Sequence, residues 1–166
     1  MGVPDYVAAI RRTYGRGLLL LPGVSAVVVR GGAPVADGAA ADEVLLVRRT
    51  DDGRWSLPSG IVEPGQQPAE AITREVLEET QVSVRPERLA LLSTDPPITY
   101  PNGDRCQFVA MTFRCAFLGG VAGVGDEEST DVRWFPLAEL PVLDGQQQRR
   151  LSCGLAPSGP SEFDLG

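Results

Sequence analysis

The stretch Gly60–Val82 reads GIVEPGQQPAEAITREVLEETQV, and its second half decides how the chain is read. Pro68 suits the first turn of a helix, where its missing N–H costs nothing. Ala69, Ile72 and Val76 then recur at helical spacing and form an apolar stripe that can bury one side. Glu75, Glu78 and Glu79 fall at i, i+3 and i+4 and share another face. Acids placed together, with no Lys among them, repel one another unless something positive sits with them. A helix anchored by one face and presenting carboxylates from the other is what a hard cation needs. Mg²⁺ and Mn²⁺ take oxygen ligands, usually a few carboxylates, and leave the remaining positions to water and substrate phosphate.

These residues resemble the Nudix hydrolases, whose box is G-x5-E-x7-R-E-U-x-E-E-x-G-U, with U a bulky aliphatic residue. Gly60, Arg74, Glu75, Val76, Glu78, Glu79 and Val82 match in register, and Trp55-Ser56-Leu57-Pro58 leads into the box. Two positions depart from it: Gln66 stands where the family has Glu, and Gln81 where it has Gly. The run R-E-V-L-E-E at the right distance from Gly60 is a specific match, against the bland alternative of an acidic, solvated helix face. The resemblance implies an α/β fold, an α/β/α sandwich with a mixed β-sheet.

Composition narrows the chemistry independently. The chain has 166 residues, one domain's worth and enough for a sizeable core. Its net charge of −7 argues against a nucleic-acid polymer or an anionic membrane as partner. There is no His, and all 15 basic residues are Arg. That removes His-dependent triads, His-ligated zinc, Schiff-base lysines and a phosphate loop ending in Gly-Lys. Cys106, Cys115 and Cys153 have no Cys-x-x-Cys spacing and read as buried, reduced thiols of a cytoplasmic protein.

Along the chain, residues 4–14 suit a short amphipathic helix with Val7, Ile10 and Tyr14 on one side. Leu18–Leu21 after Arg11, Arg12 and Arg16 imitates a signal peptide, but Pro22-Gly23 interrupts the apolar run. The better reading is a turn there, followed by a buried strand over 25–30. Residues 31–42 look like a flexible hairpin tip, and 43–49 like the return strand. Arg48 and Arg49 at its end face opposite ways, so that one can point at a cleft. Strand segments follow at 82–85 and 89–94, and Asp95-Pro96-Pro97 breaks the pattern. Tyr100–Asp104 is a turn signal. Residues 107–117 are apolar on both faces and read as a central strand. Another strand covers 130–135, and a last helix covers 144–155, with Leu151 and Leu155 on its apolar side. Residues 1–155 are read as one domain, and 156–166, rich in Pro, Ser and Gly, as a disordered tail.

The resemblance also implies chemistry. The family hydrolyses a nucleoside diphosphate linked to another group, and divalent ions neutralise the diphosphate and sharpen water as a nucleophile. By resemblance, Glu75 and Glu79 are direct ligands of Mg²⁺ or Mn²⁺, with the Gly60 carbonyl nearby. Glu78 ligates directly or through water, and Arg74 orients the box loop and a glutamate. An acid from outside the box often joins, and Glu128 in the run Gly125–Glu128 is favoured here. Arg48, Tyr100 and Arg105 are the substrate-binding candidates, and Phe108 and Trp134 are better assigned to packing. Pro96-Pro97 lies where ADP-ribose-type members carry a proline mark. The expected substrate is therefore a small nucleotide of ADP-ribose or nucleotide-sugar type, with nucleoside triphosphates as an alternative, and family habit allows a homodimer. Gln66 cannot carry charge, which leaves open a nucleotide-binding or regulatory protein with weakened turnover. Gln67 at the N-cap and Gln81 at the C-terminus of the helix are each expected to cost about 1 kcal/mol.

Overall fold

The computed structural model describes residues 4–34 and 40–163. In chain order the elements are α1 (Asp5–Tyr14), β1 (Leu19–Pro34), β2 (Ala40–Arg49), β3 (Trp55–Ser56), β4 (Ser59–Ile61), α2 (Pro68–Thr80) and β5 (Val82–Thr94). They continue with β6 (Ile98–Thr99), β7 (Arg105–Gly120), β8 (Ser129–Pro136), a 3-10 turn (Leu137–Glu139), α3 (Gly145–Leu155) and β9 (Glu162–Phe163). Among the described residues the strands form one sheet in the order β3-β2-β1-β7-β5-β9, with β4 on β1, β6 on β7 and β8 on β2. The sheet is mixed: β1 runs parallel to β7 and β9 parallel to β5, and the other pairs are antiparallel.

Strand periodicity splits the core in two. Ala26 and Val28 of β1 face α2, where they meet Ile72 and Val76. Val27 and Val29 face α3 and the segment leading into it, where they meet Leu151 and Leu143. The result is the expected α/β/α sandwich. A third cluster, Val7 with Leu21, Ile61, Cys106 and Phe108, seats α1.

Several local expectations change. Pro22 and Gly23 do not break β1, which pairs with β7 continuously from Leu19 to Val29. Pro22 has no N–H to give, yet its carbonyl accepts from Val62 N–H (3.1 Å), so the position still joins β1 to the box loop. The two segments read at 82–94 are one strand, kept continuous by three bulges against β7. On α1 only Val7 is buried, and Ile10 and Tyr14 are exposed. The described part of the tail read as disordered lies against β5: Leu91 and Leu92 pair with Glu162 and Phe163, and Ser161 Oγ donates to Leu89 O (2.6 Å). The tip of the 31–42 hairpin, residues 35–39, lies outside the described residues. Among those described, no helix is long and apolar enough to cross a membrane.

Candidate active site

Glutamines stand at both ends of α2, Gln67 as its N-cap and Gln81, a departure from the box, as its C-cap, and the structure accommodates both. The N-cap Gln67 offers its N–H to Glu70 Oε2 (3.1 Å), so an acid at N3 closes the helix start. Gln81 adopts the left-handed conformation (φ 60°, ψ 18°) that the family glycine would take. Its side chain compensates: Nε2 donates to Val124 O (2.8 Å) and ties the loop after β7 to the helix end.

The acids of α2 are unequal. The apolar stripe is set by Ala71, Ile72 and Val76, not by Ala69, and the buried face extends to Glu79 and Thr80. Glu79 is 6% exposed, whereas the Glu78 side chain is 53% exposed. Ser59 N–H donates to Glu79 Oε2 (3.2 Å). Burial and then the neighbouring Glu75 charge push the Glu79 carboxyl up to about 8; the Ser59 bond opposes this, and Asp126 adds to it. Glu75 is raised too, chiefly by burial, against the pull of Arg74. Gly60 makes this packing feasible, since a Cβ there would fall 1.9 Å from Glu75 Cδ. Arg74 forks between two acids, Nη2 to Glu75 Oε1 (2.9 Å) and Nη1 to Glu78 Oε2 (2.8 Å).

This donor set is all oxygen, which suits a hard cation. Among the described residues no three acids converge on one point, because Arg74 holds Glu78 outward. Glu75 and Glu79 nevertheless fit the role. They are adjacent, withdrawn from water, and raised in the direction that a bound cation would reverse.

A cleft of about 390 Å³ opens beside Ser59 and Gly60. Small residues of the sheet, Gly23, Ser25 and Ala110, leave its floor open, and Trp55, Tyr100 and Phe108 supply aromatic walls. Burial raises the Tyr100 hydroxyl, with Cys106 adding and Arg49 opposing. One rim carries Arg54 and Arg49, the latter paired with Asp51 and 3.7 Å from Asp52. On the α3 side, Asp95 accepts from Arg150 Nη2 (2.6 Å) and Gln146 Nε2 (3.1 Å).

The substrate candidates are thus only partly brought together. Tyr100 lines the cleft, but Arg48 and Arg105 do not. Arg48 is exposed and donates from Nε to Gly53 O (3.0 Å), while Arg49 takes the cleft side. Arg105 sits exposed at the start of β7, its carbonyl accepting from Arg11 (2.6 Å). Of the acidic run, Asp126 bears on Glu79 by its charge. Glu128 lies beyond it, with its N–H on Asp126 Oδ1 (2.9 Å) and its carbonyl accepting from Thr50 (2.8 Å). The sequence signal for Asp126 is the adjacent Gly125, whose N–H reaches Glu79 O (3.1 Å) and where a Cβ would lie 1.9 Å from Glu78 O.

The model of the NUDIX domain matches residues 21–153. The chain belongs to the Nudix hydrolase family. A MutT-like protein of Streptomyces ambofaciens is 36% identical over 119 residues, covering 72% of this chain and 69% of the relative. A putative ADP-ribose pyrophosphatase of Bacillus subtilis is 33% identical, over 61% of this chain and 48% of its own length. Three further curated relatives are spanned over only 30%, 36% and 46% of their lengths. The solved structure of an ADP-ribose pyrophosphatase from Streptococcus suis superposes with a TM-score of 0.59 at 26% identity, covering 87% of this chain and 98% of that one.

Proposed function

We propose that this Nudix chain is a divalent-metal-dependent hydrolase of the pyrophosphate bond in a small nucleoside diphosphate derivative, of ADP-ribose or nucleotide-sugar type ahead of nucleoside triphosphates. The observation that carries this reading is the withdrawn pair Glu75 and Glu79, set beside the cleft that opens at Ser59 and Gly60. Glu75, Glu79 and the Gly60 carbonyl would hold Mg²⁺ or Mn²⁺, with Glu78 joining directly or through water. Such an ion, when bound, supplies charge neutralisation for the diphosphate and a more acidic water. Arg74 is a positioning residue that sets the carboxylates of Glu75 and Glu78. Asp126, whose charge bears on Glu79, joins Glu128 as a candidate for the acid outside the box that accepts the proton of the attacking water. Arg49 and Arg54 draw the anionic substrate to the cleft, and Trp55 and Tyr100 flank its base. The ADP-ribose preference rests on the names of two of the relatives and on Pro96-Pro97.

A second reading, a nucleotide-binding protein with little turnover, is favoured by one observation. Gln66 is uncharged, and its Oε1 accepts from the Glu63 N–H of its own loop (3.3 Å). A turnover panel with Mg²⁺ and Mn²⁺ against ADP-ribose, nucleotide sugars and nucleoside triphosphates separates the two. Metal-dependent cleavage of ADP-ribose, lost in Glu79→Gln, is the expected result. Metal-dependent binding of a nucleotide without cleavage favours the second reading, and restoration of cleavage by Gln66→Glu would then locate the defect.

A further inference from the structure

Behind the cleft lies a second cavity of about 300 Å³, under α1. Val7, Leu21, Ile61 and Cys106 wall it, and Tyr100 and Phe108 line both this space and the cleft. The two thus share a wall made of Tyr100, Pro101 and Phe108. Most polar groups at the cavity's edge are used within the protein; Arg11 Nε, 3.7 Å from Asp104 Oδ1, makes no hydrogen bond. Arg11 Nη1 donates to Gly15 O (2.9 Å) and Gly17 O (2.5 Å), and its Nη2 to Arg105 O (2.6 Å) and Cys106 Sγ (3.3 Å). Asn102 and Asp104 bond to each other twice, both at 3.0 Å. A sugar or a nucleobase entering here could pair one acceptor with Arg11 Nε and would leave most of its other donors and acceptors unpaired against the apolar walls, which is costly. An unsubstituted ring has no such groups to satisfy, and it gains from the neighbouring guanidinium of Arg11. Size agrees, since an apolar cavity of about 150 Å³ accepts benzene, and twice that volume gives room for fused rings.

We propose that this cavity receives an apolar aromatic group carried on the substrate's diphosphate, which adds aryl esters of nucleoside diphosphates to the substrates of the site. This rests on the hydrolase reading above. The nucleoside occupies the cleft, the diphosphate lies by Gly60, and the ring passes Tyr100 into the cavity. In the reaction water forms a bond to one phosphorus, the bridging P–O bond breaks, and a nucleoside monophosphate, an aryl phosphate and a proton leave.

The test compares the β-naphthyl ester of ADP with ADP-ribose, by calorimetric binding and by turnover with Mg²⁺. Val7→Phe and Leu21→Phe, each filling the cavity away from the box, are measured beside the parent protein. The expected result is about tenfold tighter binding of the naphthyl ester than of ADP-ribose. Either filling variant removes that advantage, and ADP-ribose binding stays within about twofold, which also reports an intact fold. Equal binding of the two compounds, no binding of the ester, or an advantage that survives both variants overturns the proposal. If the ester binds through the cavity and neither compound is cleaved, the hydrolase reading fails and the cavity assignment stands. If both are cleaved with equal KM and equal affinity, the hydrolase reading stands and the cavity assignment fails.

Discussion

Glu79 is a carboxylic acid held almost out of water near the end of a helix, with one backbone donor and a like charge beside it. Its folded pKa of about 8 lies above the unfolded value of 4.5, so the folded protein binds this proton more tightly. The stability that the proton confers is full below 4.5 and is lost as pH rises through 8. The metal-free melting temperature should therefore fall between pH 5 and pH 8. Glu79→Gln keeps an acceptor for Ser59 N–H and removes the charge. It should flatten that slope and raise the metal-free melting temperature at pH 8, while metal affinity drops by about a hundredfold or more. In the parent protein, Mn²⁺ should raise the melting temperature more at pH 8 than at pH 6, because at the lower pH it must displace a proton. Calorimetry across pH with and without Mn²⁺ checks each part, and a melting temperature unmoved by Glu79→Gln at pH 8 would reject the account. The pairing of Glu75 with Glu79 was legible from helical spacing alone. Which arginine faces the cleft was not, because a two-residue period separates Arg48 from Arg49 without saying which side is concave. The β2–β8 pairing also slips between those two residues. The bearing of Asp126 on Glu79 depends on a loop brought against the helix end by Gly125, a tertiary contact with no periodic signal.

The C-terminus of α2 shows an element repairing its own departure from the family pattern. A non-glycine residue at φ 60° is strained by about 1 kcal/mol, and the amide of Gln81 recovers a comparable amount through Val124 O. Gln81→Gly should then be close to neutral, since it sheds the strain and loses the bond together. Gln81→Ala keeps the strain without the bond and should destabilise by about 1–2 kcal/mol. Urea midpoints of the two variants decide between this account and a purely conformational one, in which Gln81→Gly would stabilise by about 1 kcal/mol and Gln81→Ala would be neutral. Strong local patterns made α2, β7 and β8 readable: Pro68 at the helix start, apolar residues on both faces of 107–117, and alternation over 130–135. The continuity of β1 through Pro22-Gly23 was hidden because local turn chemistry favours a break. The strand survives through neighbours distant in sequence, β7 on one side and the box segment on the other. The tail's pairing with β5 was hidden for the same reason, since Pro and Ser composition says nothing of an open sheet edge.

At the scale of the molecule, α2 and α3 cover opposite faces of one sheet, and the cleft exists because α3 is held at both ends. At its far end Arg88 and Arg114 donate to the last carbonyls of the helix, Arg88 Nη2 to Cys153 O (2.7 Å) and Arg114 Nη1 to Leu155 O (2.9 Å). At the end nearer the cleft, Asp95 anchors Arg150 and Gln146 of α3 to the segment that carries Tyr100 and Pro101. Asp95 and Arg150 are 9% and 8% exposed, so neither charge has water to turn to. Breaking such a pair by removing one partner strands the other, at a cost of about 3–5 kcal/mol, whereas replacing both by apolar residues of similar size is often neutral. Asp95→Ala should therefore lower the urea midpoint sharply, and the double variant Asp95→Leu with Arg150→Met should recover most of the loss. The double variant still lacks the Gln146 anchor, so its cleft wall is less fixed. On the proposed hydrolase reading its KM for a cleaved nucleotide should rise several-fold, while kcat changes little. Recovery of stability together with an unchanged KM would mean that the pair serves the fold alone. Failure of the double variant to recover stability would mean that the pair is worth more than its desolvation costs.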